Sequence, residues 1–342
     1  MARSTRISYL LSMITISVWL SVAHAAEPKL AQTGFQFLSV PSNARVAALG
    51  KAFTAMPGGS MSMFYNPSVM AFNPARFDLS LSQNNWIADI KHMAGSFSFR
   101  PARGRWGTFG VSLMSVDYGE FLGTIVDPSS ESGYQDTGNF SPSAFAMGLA
   151  YANALSDRFS FGVHVKYASQ DLGNAQVSDA GSETGFRTKS YSEGVIAFDF
   201  GTIYRTGFKS LAFAMSVQNF SQEVRFESEG FQLPLVFNIG ISMDMMDAIS
   251  PDNEKHAFIV AIDANHPRAA SEQIMVGGEY IFLNALALRA GYHHNVDERD
   301  ISFGAGLQLA YGDRGGRIAL DYAYTPFGIF DNVQQFTFTF SM

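Results

Sequence analysis

Six histidines follow residue 25: His92, His164, His256, His266, His293 and His294. Each is a ligand or proton carrier if its neighbours suit. His293 and His294 are adjacent, so in an extended strand they face opposite sides and cannot share one metal ion. His164 and His266 lie in alternating segments and are placed to face an enclosed interior, but no nucleophile is visibly paired with either. The favoured reading is that they are ordinary polar residues of that interior. Gly304-Ala305-Gly306 is not a nucleotide loop; it fits a strand with small residues on one face. There is no G-x-S-x-G, Walker A or H-E-x-x-H sequence, and no spaced Cys/His set. With no cysteine at all, thiolate metal sites, cysteine nucleophiles and disulfides are excluded. The residues therefore point to no catalytic group, no metal and no cofactor, and the elements that carry them become the informative feature.

The composition is that of a low-charge, Gly- and Phe-rich chain that has to hide or use much apolar surface. Hydrophobic residues make up 47% of the 342-residue chain and charged residues only 15%, against roughly 25% charged in soluble globular chains. Lys and Arg number 23 against 30 Asp and Glu, so no basic face is available for nucleic acid. Residues 1–25 read as a secretory signal peptide. Arg3 and Arg6 give the positive start, an apolar run extends to Val22, and Ala23-His24-Ala25 supplies a small-x-small cleavage site. The alternative, a spanning anchor, needs about 20 apolar residues, and this unbroken core is shorter. No later run is long enough for a helical span.

From residue 76 the hydropathy period is two. Phe159, Phe161, Val163, Val165 and Tyr167 alternate with Ser160, Gly162, His164 and Lys166. Ile301, Phe303, Ala305, Leu307 and Leu309 alternate with Ser302, Gly304, Gly306 and Gln308. Each such segment carries one apolar face and one small or polar face. Fourteen are found: 76–85, 92–100, 105–118, 142–155, 158–170, 191–206, 210–221, 231–244, 255–266, 273–283, 285–294, 300–312, 316–326 and 333–342. Many run to 9 or more residues, the length that a strand tilted across a bilayer requires, about 9–11 residues. The connections alternate between long (such as 119–141 and 171–190) and short (such as 156–157 and 207–209); only 245–254 breaks the pattern. Long outer loops and short periplasmic turns are the signature of an outer-membrane barrel. A soluble sandwich or propeller also alternates but does not predict these strand lengths. The expectation is an all-β, 14-stranded antiparallel transmembrane β-barrel over 76–342, in the bacterial outer membrane, exported with cleavage near Ala25.

In hydrocarbon an unpaired backbone group costs several kcal/mol, so the last strand must pair with the first. Phe336, Phe338, Phe340 and Met342 alternate with Thr337, Thr339 and Ser341, and the run resembles the C-terminal signal read by the barrel assembly machinery. It departs from the usual form by ending in Met342.

Residues 26–75 do not alternate. They read either as a periplasmic leader or as a plug or hatch folded into the lumen, and a 14-stranded barrel is too wide for wall side chains alone to fill. The run Gly34-Phe35-Gln36-Phe37-Leu38, then Pro41-Ser42-Asn43-Ala44-Arg45-Val46-Ala47-Ala48-Leu49-Gly50, then Ala52-Phe53 and Asn66-Pro67, resembles the N-terminal signature of the PorV/PorQ family. Later fragments fit as well: Leu233-Pro234-Leu235, Asp263-Ala264-Asn265-His266-Pro267, Gly278-Glu279-Tyr280, Arg289-Ala290-Gly291-Tyr292 and Asp321-Tyr322-Ala323-Tyr324. The resemblance implies a FadL-like barrel with a small N-terminal plug segment. It also implies a role in type IX secretion, passing cargo proteins to the surface attachment machinery. Pro57-Gly58-Gly59-Ser60 stands where the family often carries an acidic pair.

Pro234 falls within 231–244, where it either starts the strand or kinks the wall; the first is favoured by the positional rule for strand prolines. The loops 119–141 and 171–190 are rich in acids, including Asp127, Glu131, Asp136 and Asp179, and poor in bases. They read as a solvated rim or as a docking face for a basic partner. Two functions follow, and a third, an outer-membrane enzyme, is disfavoured for lack of any motif. One is a non-enzymatic barrel supporting protein secretion or surface attachment, with exported cargo and secretion components as partners. The other is a FadL-like channel for a small hydrophobic ligand. Both have outer-membrane lipid and the assembly machinery as partners.

Overall fold

The computed structural model describes residues 33–128, 130–178, 186–250, 255–296, 300–312 and 315–342; the expected signal peptide at 1–25 lies outside them. In chain order the strands are β1 (Phe77–Asn85), β2 (Lys91–Phe99), β3 (Thr108–Asp117), β4 (Phe121–Val126), β5 (Tyr134–Phe140), β6 (Ser143–Ala154), β7 (Phe159–Ser178), β8 (Phe186–Arg205) and β9 (Ala212–Ser221). They continue with β10 (Val224–Arg225), β11 (Gly230–Phe231), β12 (Val236–Asp244), β13 (Ala257–Pro267), β14 (Gln273–Phe282), β15 (Leu286–His294), β16 (Ile301–Tyr311), β17 (Gly316–Thr325) and β18 (Val333–Ser341). Fourteen of these close into one barrel in the order β1-β18-β17-β16-β15-β14-β13-β12-β9-β8-β7-β6-β3-β2. The seam is a regular antiparallel pairing from Asp78↔Ser341 to Asn85↔Gln334, and Phe77 and Met342 exchange both backbone hydrogen bonds below it. No edge is left, which is what hydrocarbon demands.

Alternation sorts the wall as the sequence requires. Along β18, Phe336 and Phe338 are 51% and 37% exposed on the outer face, whereas Gln335 and Thr337 are buried on the inner one. Trp106, Tyr311 and Tyr324 sit at strand ends, where interfacial aromatics belong.

The expected strand bounds shift in three places. The segment expected at 231–244 begins at Val236, so Pro234 lies ahead of the regular strand. The expected loop 119–141 contains the hairpin β4–β5, and β7 and β8 run on through a bulge at Asp171/Asn174 to Ser178 and Phe186. Loops of this length keep their backbone groups paired, in one case by a separate two-stranded hairpin and in the other by extending the barrel sheet beyond the wall. The exceptional short-side connection after β12 holds a single helical turn, α2 (Met246–Ile249).

Residues 33–75 run inside this wall. Thr33 bridges Gln232 and Gly34 N–H donates to the Gln232 carbonyl, at the end carrying the long connections. The chain then passes a 3₁₀ turn (Gln36–Ser39), the short helix α1 (Ala44–Ala48) and two more 3₁₀ turns (Ser60–Phe64 and Pro67–Phe72) before entering β1 at the opposite end. Asn43 caps α1 by accepting from Arg45 N–H, and Asn66 caps the last turn by accepting from Ser68 N–H, with Pro67 at its first position.

Candidate functional site in the barrel lumen

The inner chain is held at each level by a polar group that a barrel strand points inward. Asp263 on β13 accepts from the backbone N–H groups of Phe53 and Thr54 at 2.8 and 2.7 Å. Asp78 on β1 accepts from Ser60 N–H at 2.6 Å. Thr337 accepts from Ala44 N–H, Ser302 from Gly50 N–H, and Gln335 donates to the Pro41 carbonyl. These bonds satisfy backbone groups that no sheet or long helix would pair.

Arg45 on α1 makes the strongest attachment. Its guanidinium forks onto both oxygens of Glu279 on β14, at 2.8 and 2.6 Å. Glu279 also accepts from Arg289 on β15 at 2.6 Å, and Arg289 donates to Asp321 on β17 at 2.7 Å. Glu279 is fully buried, and the pairing of two guanidinium groups with two carboxylates leaves no uncompensated charge in the row. The Arg45 guanidinium also lies 5.3 Å over the Phe53 ring. Burial pushes the Tyr65 phenol up to about 12, against hydrogen bonds from Ser42 that lower it, so it remains a neutral partner of Ser42.

Glycine makes the close approach possible. A Cβ at Gly291 of β15 would stand 2.1 Å from Gly50 N, one at Gly304 of β16 would stand 2.4 Å from the Ala48 Cβ, and one at Gly162 of β7 would stand 2.4 Å from Ser68 N. Gly50 itself has φ +61°, which turns the chain away from α1.

The residues singled out in the sequence occupy these positions. Gly34 packs under Phe231; Phe37 is buried and Leu38 half-buried in an apolar cluster with Phe35, Phe64 and Leu233. Arg45, Gly50, Phe53, Asn66 and Pro67 all touch the inner wall. Pro234 stands apart from them: its carbonyl accepts from Asn219 Nδ2 at 2.8 Å, beside a bulge between Phe198 and Phe200 on β8.

Sequence reasoning missed one cluster. His164 faces inward as expected but has partners: its Nε2 meets Ser112 Oγ at 2.8 Å and its Nδ1 meets Asp199 Oδ2 at 2.8 Å. Lys166 and Asn219 N–H also donate to Asp199. The cluster spans four strands: the β7/β8 register pairs His164 with Asp199, while Ser112 on β3 reaches His164 across Gly148 of β6, and Asn219 comes from β9. His266 faces outward and pairs with Glu272 instead, which corrects its expected inward placement. Among the described residues no group of three His, Asp or Glu forms a metal site.

Residues 133–337, more than half of the chain, match the family described as Type IX secretion system membrane protein PorP/SprF. The chain belongs to this family. The match covers β5 and the wall from β6 into β18, and leaves out the inner chain. It supports the coarser part of the resemblance seen in the sequence, a type IX secretion-associated outer-membrane barrel. Solved structures share the fold. The Pseudomonas putida toluene transporter TodX is 13% identical with a TM-score of 0.57, over 92% of this chain and 98% of that one. The Ralstonia pickettii toluene transporter TbuX is 13% identical with a TM-score of 0.57, over 91% and 99%. A Pseudomonas aeruginosa FadL homologue is 12% identical with a TM-score of 0.52, over 88% and 98%. No curated protein matches. The PorP/SprF barrel described here therefore has a FadL-like wall, and the names of its family and structural neighbours are those of secretion and transport proteins.

Proposed function

We propose that this barrel serves type IX secretion or surface attachment as a component of the PorV/PorQ kind, in a role that itself requires no catalysis, with residues 33–75 as a plug. The observation that carries the reading is the family match over residues 133–337. The packing supports it: the inner chain is pinned by Glu279, Asp263 and Asp78, so the wall and its long connections, rather than an open bore, are what a partner meets. The long connections add β4–β5, whose exposed Leu122 and Val126 stand among Glu120, Asp127 and Asp136 with no basic residue between Arg105 and Arg158. Such a surface suits cargo proteins or secretion components carrying basic and apolar patches. The test is purification from detergent-solubilised outer membrane. Exported proteins co-purifying with the barrel, and lost when β4–β5 is shortened, support the reading; their absence rejects it.

The FadL-like folds favour a second reading, a channel for small hydrophobic compounds, and the break at Pro234 gives it a specific route. The β12–β9 ladder ends at Val236↔Gln218, and beyond it the Asn219 side chain on the Pro234 carbonyl stands in for a backbone ladder bond. Pro234→Val, which restores a ladder donor, is expected to leave cargo handling unchanged under the first reading. Loss of uptake of an aromatic hydrocarbon in the same variant supports the second.

A further inference from the structure

Ser112, His164 and Asp199 form a continuous hydrogen-bonded line across the inner wall, and its direction follows from the acceptors. Asp199 receives His164 Nδ1 at 2.8 Å, Lys166 Nζ on both oxygens at 2.8 Å, and Asn219 N–H at 2.7 Å. Surrounded by donors, it stays an ionised acceptor. In the neutral imidazole the Nδ1 therefore carries the proton, and the Nε2 lone pair faces Ser112 Oγ at 2.8 Å. That is a serine hydroxyl donating to a base whose tautomer a carboxylate fixes, the arrangement that activates serine for nucleophilic attack.

Two further features set this line apart from a polar strut. Ser112 and His164 lie on β3 and β7, separated by β6, and they meet only because Gly148 of β6 lies between them. A Cβ there would stand 2.3 Å from His164 Nε2 and 2.9 Å from Ser112 Oγ. The line also borders a cavity of about 60 Å³ between the wall and the inner chain. Ser112, His164 and Lys166 line it, as do the buried Asn219 and Asn265, whose side-chain oxygens lack a partner. Phe64 and Met275 give it an apolar side. It has room for a few waters or a short acyl group, and the orphan acceptors with an apolar flank suit a small polar-headed molecule.

We infer that Ser112 is an activated nucleophile in an acyl-transfer site for short-chain carboxylic esters, an activity additional to the secretion reading and independent of it. Ser112 Oγ attacks the ester carbonyl carbon while His164 Nε2 takes the hydroxyl proton. The C–O bond to the alcohol breaks, and the alcohol leaves with that proton, so the acyl group remains on Ser112. Water, giving a proton to His164, then attacks the acyl carbonyl, releasing the carboxylic acid and restoring the hydroxyl. Asp199 acts through His164 as a positioning residue.

The test uses the full-length barrel in detergent with methanesulfonyl fluoride, an electrophile small enough for the cavity, followed by peptide mass mapping; acetate release from ethyl acetate is followed in parallel. The expected result is one sulfonyl adduct on Ser112. A general base contributes about 10²–10⁴-fold, so His164→Gln, which keeps hydrogen-bonding capacity without the base, should slow labelling at least about 100-fold. Gly148→Ala should do likewise by parting serine from histidine, with heat-modifiable gel mobility confirming that both variants remain closed barrels. No adduct on Ser112, or labelling unchanged in His164→Gln, overturns the inference. An adduct without acetate release overturns the ester assignment.

Discussion

Replacing Glu279 by alanine would leave the guanidinium groups of Arg45 and Arg289 facing each other across a buried gap. Removing one member of a buried ion pair costs about 3–5 kcal/mol, because the surviving charge is uncompensated. That cost falls on the contact between α1 and β14, not on the outer wall. Glu279→Ala should therefore speed hydrogen exchange at Ala47–Ala52 by two orders of magnitude or more, while heat-modifiable mobility of the barrel is retained. Unchanged exchange would mean that the glycine contacts hold α1 unaided. The wall residues of this row were visible in the sequence: Glu279, Arg289 and Asp321 all fall in the fragments that carry the family resemblance. Their partners were not, because period-two alternation says which face a side chain takes but not which side chain lies opposite. Arg45 and Glu279 are 234 positions apart, and only closure of the barrel joins them.

At the scale of elements, the strands were read almost to the residue, since bilayer thickness and alternation dictate both length and face. The departures occur where those constraints end. β7 and β8 continue past the membrane, β4–β5 forms above it, and β12 starts late behind Pro234. The inner chain was legible as a stretch without period in which Ala44–Met56 reads as a short helix or a compact coil, and α1 takes up the first part of it. Its turns are too short for a helical signature and are shaped by the wall they touch. That dependence is testable through the wall. In Gly291→Val the new side chain would meet Gly50 backbone, which cannot rotate aside. The expected outcome is displacement of Leu49–Gly50 with the barrel intact, read as single-channel conductance in a planar bilayer several-fold above that of the parent protein. Equal conductance in the two proteins would show that the inner chain does not obstruct the lumen.

For the whole molecule, the wall is a partition between lipid and a polar interior, and substitutions sort by face. Phe338 lies outward and mid-strand, so Phe338→Arg should cost about 2–4 kcal/mol, as arginine does at the bilayer midplane. The folded fraction on a semi-native gel should fall accordingly, and an unaffected fraction would place that face out of lipid. One consequence follows from the path of the chain from Thr33 down to β1. The first strand is tethered to a peptide that already touches the last: Ala44 N–H reaches Thr337 and Pro41 reaches Gln335. During biogenesis this peptide can act as a mandrel, gathering late-made strands around it and presenting β18 to β1 before the seam zips. Truncating it should then slow sealing of the cylinder even where the sealed product is stable.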